Sequence, residues 1–129
     1  MARPLELTSE QSMPSVSTVE FRHGAIELLL LKALSWGPRH GFSIARWIQE
    51  TADDVLRLEE GSMYPALHRM EDKGWIKATW GTSENNRRAK FYQLTATGRE
   101  QLAEDTQDWW RYAAAVGKVL KSTSSPVTA

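Results

Sequence analysis

The sequence of 129 residues contains no cysteine, which excludes disulfide bonds and every metal site built on thiolate ligands. No apolar run approaches the roughly 20 residues that a membrane-spanning helix needs. The N-terminal residues lack the apolar stretch of a signal peptide, so we expect a cytoplasmic protein without a membrane partner. Sixteen basic residues balance sixteen acidic ones. Bulk charge therefore excludes a strongly basic nucleic-acid-binding protein but leaves room for a local basic patch.

The residue patterns of common enzymes are also missing. The three histidines, His23, His40 and His68, fall on separate predicted elements without metal-ligand spacing. There is no glycine-rich phosphate loop, and the carboxylate pairs 53–54 and 59–60 lie in charged surface stretches. We therefore expect a protein that is not an enzyme and that has no metal and no cofactor.

Basic residues are concentrated in one part of the chain. Residues 62–94 hold six basic and three acidic side chains, whereas residues 1–22, 23–61 and 95–129 have net charges of −1, −2 and 0. Three excess charges decide little alone, so their placement on the predicted elements matters more than their number.

Composition divides the chain into four parts. Residues 1–22 carry two prolines and many Ser and Thr residues, which predicts a flexible arm. Residues 23–94 form the predicted folded domain, residues 95–121 a long helix, and residues 122–129 a disordered tail.

Apolar spacing predicts three helices and two strands in the central domain. We expect helix one at about 24–35, ended by Gly37 and Pro38, and helix two from 40 or 41 to 51. Residues 53–59 are predicted to be a loop or brief strand. Helix three is predicted to be capped by Ser62 and ended by Gly74. Strands at 75–80 and 89–94 follow, joined by an eight-residue loop at 81–88.

The predicted last helix, capped by Thr95 or Thr97, runs to Lys121 and carries an apolar seam with one polar member. Its positions alternate steps of four and three, as in a coiled coil. They are Leu102, Thr106, Trp109, Ala113, Val116 and Leu120. Because this seam has little of its own domain to cover it, we predict a homodimer.

Three helices followed by a hairpin with a polar loop is the order of a winged helix-turn-helix, a mainly α fold of the α+β class. In such domains the third helix enters the major groove of DNA and the hairpin, or wing, touches the neighbouring backbone or minor groove. The basic stretch 62–94 is that helix plus that wing. Charge and element order therefore indicate DNA binding on the same residues.

Two segments carry a family resemblance, His-Gly-Phe-Ser-Ile at 40–44 and Gly-Ser-Met-Tyr-Pro-Ala-Leu-His-Arg-Met-Glu at 61–71. Arg-Arg-Ala-Lys-Phe-Tyr-Gln-Leu-Thr at 87–95 and Thr-Gly-Arg at 97–99 extend it. The chain resembles the PadR family of bacterial transcriptional regulators over residues 22–121, and its single last helix is similar to the short subgroup. The resemblance implies a homodimeric regulator, usually a repressor. Phe42 stands where the family often has Tyr, so a phosphate contact from that hydroxyl is not expected here.

The predicted DNA-binding residues lie on helix three and the wing. On the helix, Tyr64 and His68 point outward with Ser62 and Arg69 beside them, which suits contacts to phosphates and base edges. On the wing, cationic side chains suit phosphate binding through counterion release; they are Arg87, Arg88 and Lys90. The alternative for both sets is a solvated surface, and the alternative function is a winged-helix module that binds protein and not DNA.

Six tryptophans are many for this length. Trp36, Trp75 and Trp80 are predicted to pack between helices and sheet, with Trp47 at the margin of helix two. Trp109 and Trp110 are candidate contacts for a small aromatic or apolar effector, although simple packing of a dimer is the commoner role of such residues.

Overall fold

The computed structural model describes the backbone of residues 18–126 and the side chains of residues 25–126. Its elements are α1 Thr18–Leu34, β1 Arg39–His40, α2 Gly41–Thr51, α3 Glu60–Asp72, β2 Ile76–Thr82, β3 Arg88–Leu94 and α4 Ala96–Lys121. Of the predicted arm, residues 1–17 lie outside the described range. Residues 18–22 belong to α1, which begins earlier than expected. Residues 122–126 follow α4 without regular secondary structure, and the rest of the predicted tail is not described.

The strands form one antiparallel sheet in the order β1-β3-β2, packed with the helices in the predicted winged-helix arrangement. The strand β1 was not predicted. Arg39 and His40 pair with Tyr92 and Phe91 of β3. Two residues are too few to produce an alternating pattern, because their strand conformation is supplied by a partner distant in sequence.

Glycines end α1 and α3 as predicted. Gly37 follows α1 with φ of 136°, and Gly74 follows α3 with φ of 78°. After α3, the Gly74 N–H donates to the Glu71 carbonyl and the Trp75 N–H donates to the Met70 carbonyl, both at 3.0 Å. These are the two hydrogen bonds of a Schellman motif, which satisfies carbonyls at the helix end.

The start of α3 differs from the prediction. Glu59 occupies the N-cap position without a side-chain capping bond, and the helix begins at Glu60. Ser62 therefore lies inside the first turn, where its N–H donates to the Glu59 carbonyl at 3.0 Å. The prediction that Ser62 caps the helix was wrong because backbone conformation at Glu59, and not side-chain type, sets this boundary.

The hairpin strands are longer and its loop shorter than predicted. Gly81 pairs with Ala89 and Thr82 with Arg88, which leaves a loop of residues 83–87. The Ser83 N–H donates to the Arg87 carbonyl at 2.8 Å and closes the loop. Asn86 has φ of 60°, a conformation that asparagine tolerates in turns.

The core lies between α1, α2, α3 and the base of the sheet. It contains Leu30, Leu31, Ala33, Leu34, Ile44, Ile48, Met63, Ala66, Leu67, Met70, Ile76, Tyr92 and Leu94. The helix α1 packs against α2, α3, α4 and β3, so it is the central element of the domain. Residues 52–59 form a loop, in agreement with the first of the two predicted alternatives.

The helix α4 has 26 residues and ends at Lys121 as predicted, and Thr95, the first of the two predicted candidates, caps it. The Thr95 hydroxyl accepts a hydrogen bond from the Gly98 N–H at 3.0 Å and donates to the Gly74 carbonyl at 2.6 Å. These bonds join the long helix to the turn before β2. Despite its length, neither α4 nor another helix of the described chain has the apolar character needed to cross a membrane.

Candidate nucleic-acid interface

The outward face of α3 is polar. Met63, Ala66, Leu67 and Met70 are buried on the inner side of the helix, and Ser62 and His68 are exposed on the other. The His68 side chain is 75% exposed, and its Nε2 lies 3.6 Å from Oδ2 of Asp72. This imidazole is therefore accessible to a groove that receives α3.

Tyr64 leans from α3 onto the first residue of α2. A side chain at Gly41 would collide with the Tyr64 ring and hydroxyl, so the glycine is required for this contact. The tyrosine stays 43% exposed. Burial, and then the negative charge of Glu60, raises the pKa of the Tyr64 hydroxyl, which stays protonated and able to donate a hydrogen bond. The glycine of the His-Gly-Phe segment was a signal for this packing.

Arg69 lies on the side of α3 that faces α1. Its Nε is 3.3 Å from Oε2 of Glu27, a side chain that is only 12% exposed. The ammonium of Lys73, the residue that follows α3, is 3.6 Å from the other oxygen of the same carboxylate. Glu27 of α1 thus pairs with one cation on α3 and one at its C-terminal end, and sequence reasoning missed it because its partners are 42 or more residues away.

The wing presents its cations unequally. Arg87 and Arg88 are exposed, and the Arg88 guanidinium lies 4.8 Å from the centre of the Trp80 ring. The Lys90 ammonium is 3.7 Å from Oε1 of Glu71 on α3. Arg87 and Arg88 are therefore more available than Lys90.

Two of the tryptophans predicted to be packed are exposed. Trp36 is 65% exposed in the turn after α1, with the Lys32 ammonium 4.9 Å from its ring, and Trp80 is 60% exposed on the wing. The prediction was wrong for both because Trp36 lies in the turn after α1 and Trp80 lies where the hairpin extends past the core. Trp75 and Trp47 do pack partly buried against the core, as expected.

Polar side chains at the start of α2 approach the wing loop, a grouping that sequence reasoning also missed. His40 Nε2 lies 3.4 Å from Oε1 of Glu84, and Nδ1 of His40 accepts from the Ser43 N–H. Hydrogen bonds from its own backbone and from His40 lower the pKa of the Glu84 carboxyl. The Arg39 guanidinium donates to the Ser43 hydroxyl at 2.9 Å.

The predicted seam of α4 divides into two halves. Leu102, Thr106, Trp109 and Ala113 are half-buried, whereas Val116 and Leu120 are 37% and 78% exposed. The polar member Thr106 donates its hydroxyl to the Leu102 carbonyl at 2.6 Å, which satisfies it within the helix. The apolar seam thus continues beyond the part that the domain covers.

An open apolar cleft of about 610 Å³ separates α1 from the first half of α4. Its lining residues are Ala25, Leu28, Leu29, Lys32, Leu56, Leu102, Thr106, Trp109 and Trp110. Trp110 is 65% exposed. Among the side chains described, no three His, Asp or Glu residues converge as a metal site would require.

Comparison with known proteins agrees with this geometry. The transcriptional regulator PadR-like family matches residues 30–104. A transcriptional regulator of Mycobacterium tuberculosis is 31% identical over 87 residues, which are 67% of this chain and 77% of that protein.

Solved structures give the same result. A transcriptional regulator of Clostridium thermocellum superposes with a TM-score of 0.71 at 25% identity, covering 83% of this chain and all of the other. A PadR family regulator of Clostridium difficile superposes with a TM-score of 0.64 at 32% identity, covering 75% of this chain and 99% of the other. The polar face of α3, the basic wing and the matched fold together place this chain in the PadR-like family of DNA-binding transcriptional regulators.

Proposed function

We propose that this regulator is a cytoplasmic repressor that binds an inverted-repeat operator as a homodimer. The observation that carries the proposal is the polar, exposed face of α3 beside a wing whose arginines are exposed. A helix of this kind fits the major groove, where each base pair has a distinct pattern of donors and acceptors. Two such helices related by a dimer axis would meet half-sites about 10 base pairs apart, centre to centre, or a near multiple.

The proposed DNA contacts fall into two groups. On α3, Ser62, Tyr64 and His68 face outward and supply hydroxyl and imidazole groups for base edges and phosphates. Arg69 joins them, with its charge partly offset by Glu27. On the wing, phosphate attraction comes from Arg87 and Arg88, with a smaller share from Lys90 because Glu71 already pairs with it.

The proposed dimer interface is the second half of the α4 seam. Val116 and Leu120 of the seam are exposed, with Val119 exposed beside them, and burying apolar side chains of this size between two copies is favourable. We expect light scattering to give the mass of a dimer. Leu120→Glu should shift the mass towards that of the monomer, whereas Lys118→Glu, on another side of α4, should not. A wild-type protein that is monomeric at micromolar concentration would contradict the interface.

The proposed effector site is the cleft between α1 and α4. Its lining is mostly aliphatic, with the indoles of Trp109 and Trp110 at one side, which suits a flat aromatic or apolar molecule. A planar hydrophobic dye should quench tryptophan fluorescence in wild type and less in Trp109→Ala. Equal quenching in the two proteins would place the dye elsewhere.

Operator binding tests the function directly. Fluorescence anisotropy with DNA from upstream of the protein's own gene, repeated over a salt series, should show specific binding that weakens with salt. Arg87→Ala with Arg88→Ala should weaken binding to all DNA alike and lower the salt slope by about 1–2. The control Lys118→Ala with Lys121→Ala removes two cations from the end of α4 and should leave the slope unchanged.

The helix and the wing should differ in what they recognise. His68→Ala should lose about 1–3 kcal/mol on the cognate site and little on random DNA. An equal loss of affinity for cognate and random DNA would show that α3 does not recognise the base sequence. Absence of DNA binding by wild type under all conditions would favour the protein-binding alternative.

A further inference from the structure

The wing carries a tryptophan whose position the family assignment does not explain. Trp80 lies near the end of β2 and is 60% exposed. Exposing an indole to water is unfavourable, and residues of this kind in soluble proteins often mark contact surfaces.

Strand register places Trp80 on the side of the hairpin that faces the core. Trp80 pairs with Lys90, and two residues further on Thr82 pairs with Arg88, so Trp80, Arg88 and Lys90 share one face. Tyr92 on the same face is buried, and Lys90 reaches Glu71 of α3. Beyond Lys90 this face passes the end of the core. Trp80 and Arg88 therefore occupy the α3 side of the wing, where it projects into solvent.

The Trp80 ring holds the guanidinium of Arg88. Their separation of 4.8 Å is within the range of a cation–π interaction, which is strongest with an indole. Stacking restricts a long, flexible side chain and leaves its N–H groups free at the edge of the plane. An arginine ordered in advance loses less conformational entropy when it binds a phosphate.

We propose that Trp80 is a positioning residue for DNA binding, which holds Arg88 ready for a phosphodiester group of the duplex. The inference rests on the proposed function, since it gives Arg88 the phosphate as its ligand. The one acid of the wing loop, Glu84, lies 3.4 Å from Nε2 of His40, and none of the ion pairs among the described side chains includes Arg88.

A double-mutant cycle on the wing tests this role. Operator affinity is measured by anisotropy for wild type, Trp80→Ala, Arg88→Ala and the double variant. Trp80→Ala should weaken binding about two- to fivefold, the range expected for loss of an exposed cation–π contact. In the Arg88→Ala background the same substitution should change affinity little. Trp80→Phe should recover part of the loss, because phenylalanine keeps an aromatic face.

Trp36→Ala provides a matched control. Trp36 is also exposed, and the Lys32 ammonium also lies over its ring, but it belongs to the turn after α1. Its replacement by alanine should therefore leave DNA binding unchanged. Circular dichroism establishes that each variant is folded. If Trp80→Ala does not fold, Arg88→Lys takes its place: it keeps the charge, loses the planar stack and should weaken binding to a similar extent.

Two results would overturn the proposal. One is a Trp80→Ala protein that binds as tightly as wild type. The other is a Trp80→Ala substitution that weakens binding equally with and without Arg88, which would show that Trp80 does not act through Arg88. Both results presuppose that wild type binds DNA. If wild type itself does not bind DNA, the proposed function is refuted. Refutation of the function and refutation of the role of Trp80 are therefore distinguishable.

Discussion

Replacing Gly98 by alanine should destabilise the fold, although alanine is ordinarily the better helix residue. Gly98 lies in the first turn of α4, buried against the backbone of Trp75. A Cβ added there would overlap the Trp75 carbonyl oxygen and lie 3.0 Å from its carbonyl carbon and 3.2 Å from Cδ2 of Leu94. Because the main obstacle is backbone, it cannot rotate away as a side chain would.

The expected change in the free energy of unfolding combines one stabilising and two destabilising effects. Gly→Ala at an open helical position stabilises by up to about 1 kcal/mol. Forcing a methyl group into a packed site costs about 1–3 kcal/mol. Moving α4 away from Trp75 also weakens the hydrogen bond from the Thr95 N–H to the Trp75 carbonyl, at 3.0 Å, which contributes about 1 kcal/mol. This loss offsets the helix-propensity gain, so we expect a net loss of about 1–3 kcal/mol in the free energy of unfolding.

Urea denaturation followed by far-ultraviolet circular dichroism measures this loss. All variants are compared at one protein concentration, because the stability of an oligomer depends on concentration. Gly61→Ala in α3 is the control: nothing lies within 4 Å of its added Cβ, so stability should stay equal or rise by up to about 1 kcal/mol. A Gly98→Ala protein that unfolds at the same urea concentration as wild type, or higher, would refute the reasoning.

Two further substitutions probe one buried and one partly buried carboxylate. Glu27→Gln should reduce the free energy of unfolding by about 1–2 kcal/mol, because it breaks the ion pairs with Arg69 and Lys73, whose half-exposed side chains can rehydrate. This reduction should become smaller at high salt. A reduction that does not depend on salt would contradict an ionic cause. Asp105→Asn should stabilise the protein at neutral pH. Burial raises the pKa of the Asp105 carboxyl, although a hydrogen bond from Gln101 opposes the rise. The folded state therefore binds this proton more tightly than the unfolded chain, and the penalty of ionisation disappears as the pH falls below the folded-state pKa. The denaturation midpoints of wild type and Asp105→Asn should converge in acid. A difference that stays constant with pH would show that titration of Asp105 is not its cause.

Local signals predicted the elements well. Thr95 and the spacing along α4 fixed a helix of the right length, and Gly37 and Gly74 marked two helix ends. These signals succeed because capping and periodicity depend on residues a few positions apart. The order of these predicted elements was enough to indicate a winged-helix fold.

The partners of individual site residues could not be predicted in the same way. The pattern of helix three predicts Arg69 as a groove contact but contains no sign of its ion pair with Glu27 of α1. The strand pattern predicts a packed Trp80 but contains no sign that the hairpin projects past the core. Alternation assigns Trp80 to the correct face of the strand but says nothing about where the core ends. Such facts depend on tertiary packing between segments far apart in the chain.

The base of the wing and α3 pack as one body, since Ile76 of β2 and Met70 of α3 share the core and Lys90 pairs with Glu71. In the proposed complex this body meets the duplex at two points whose separation the protein fixes. Groove width and bendability vary with DNA sequence, so duplexes that already match the separation bind at a lower deformation energy. The regulator should therefore discriminate among operators at flanking base pairs that no side chain touches, through the shape of the double helix.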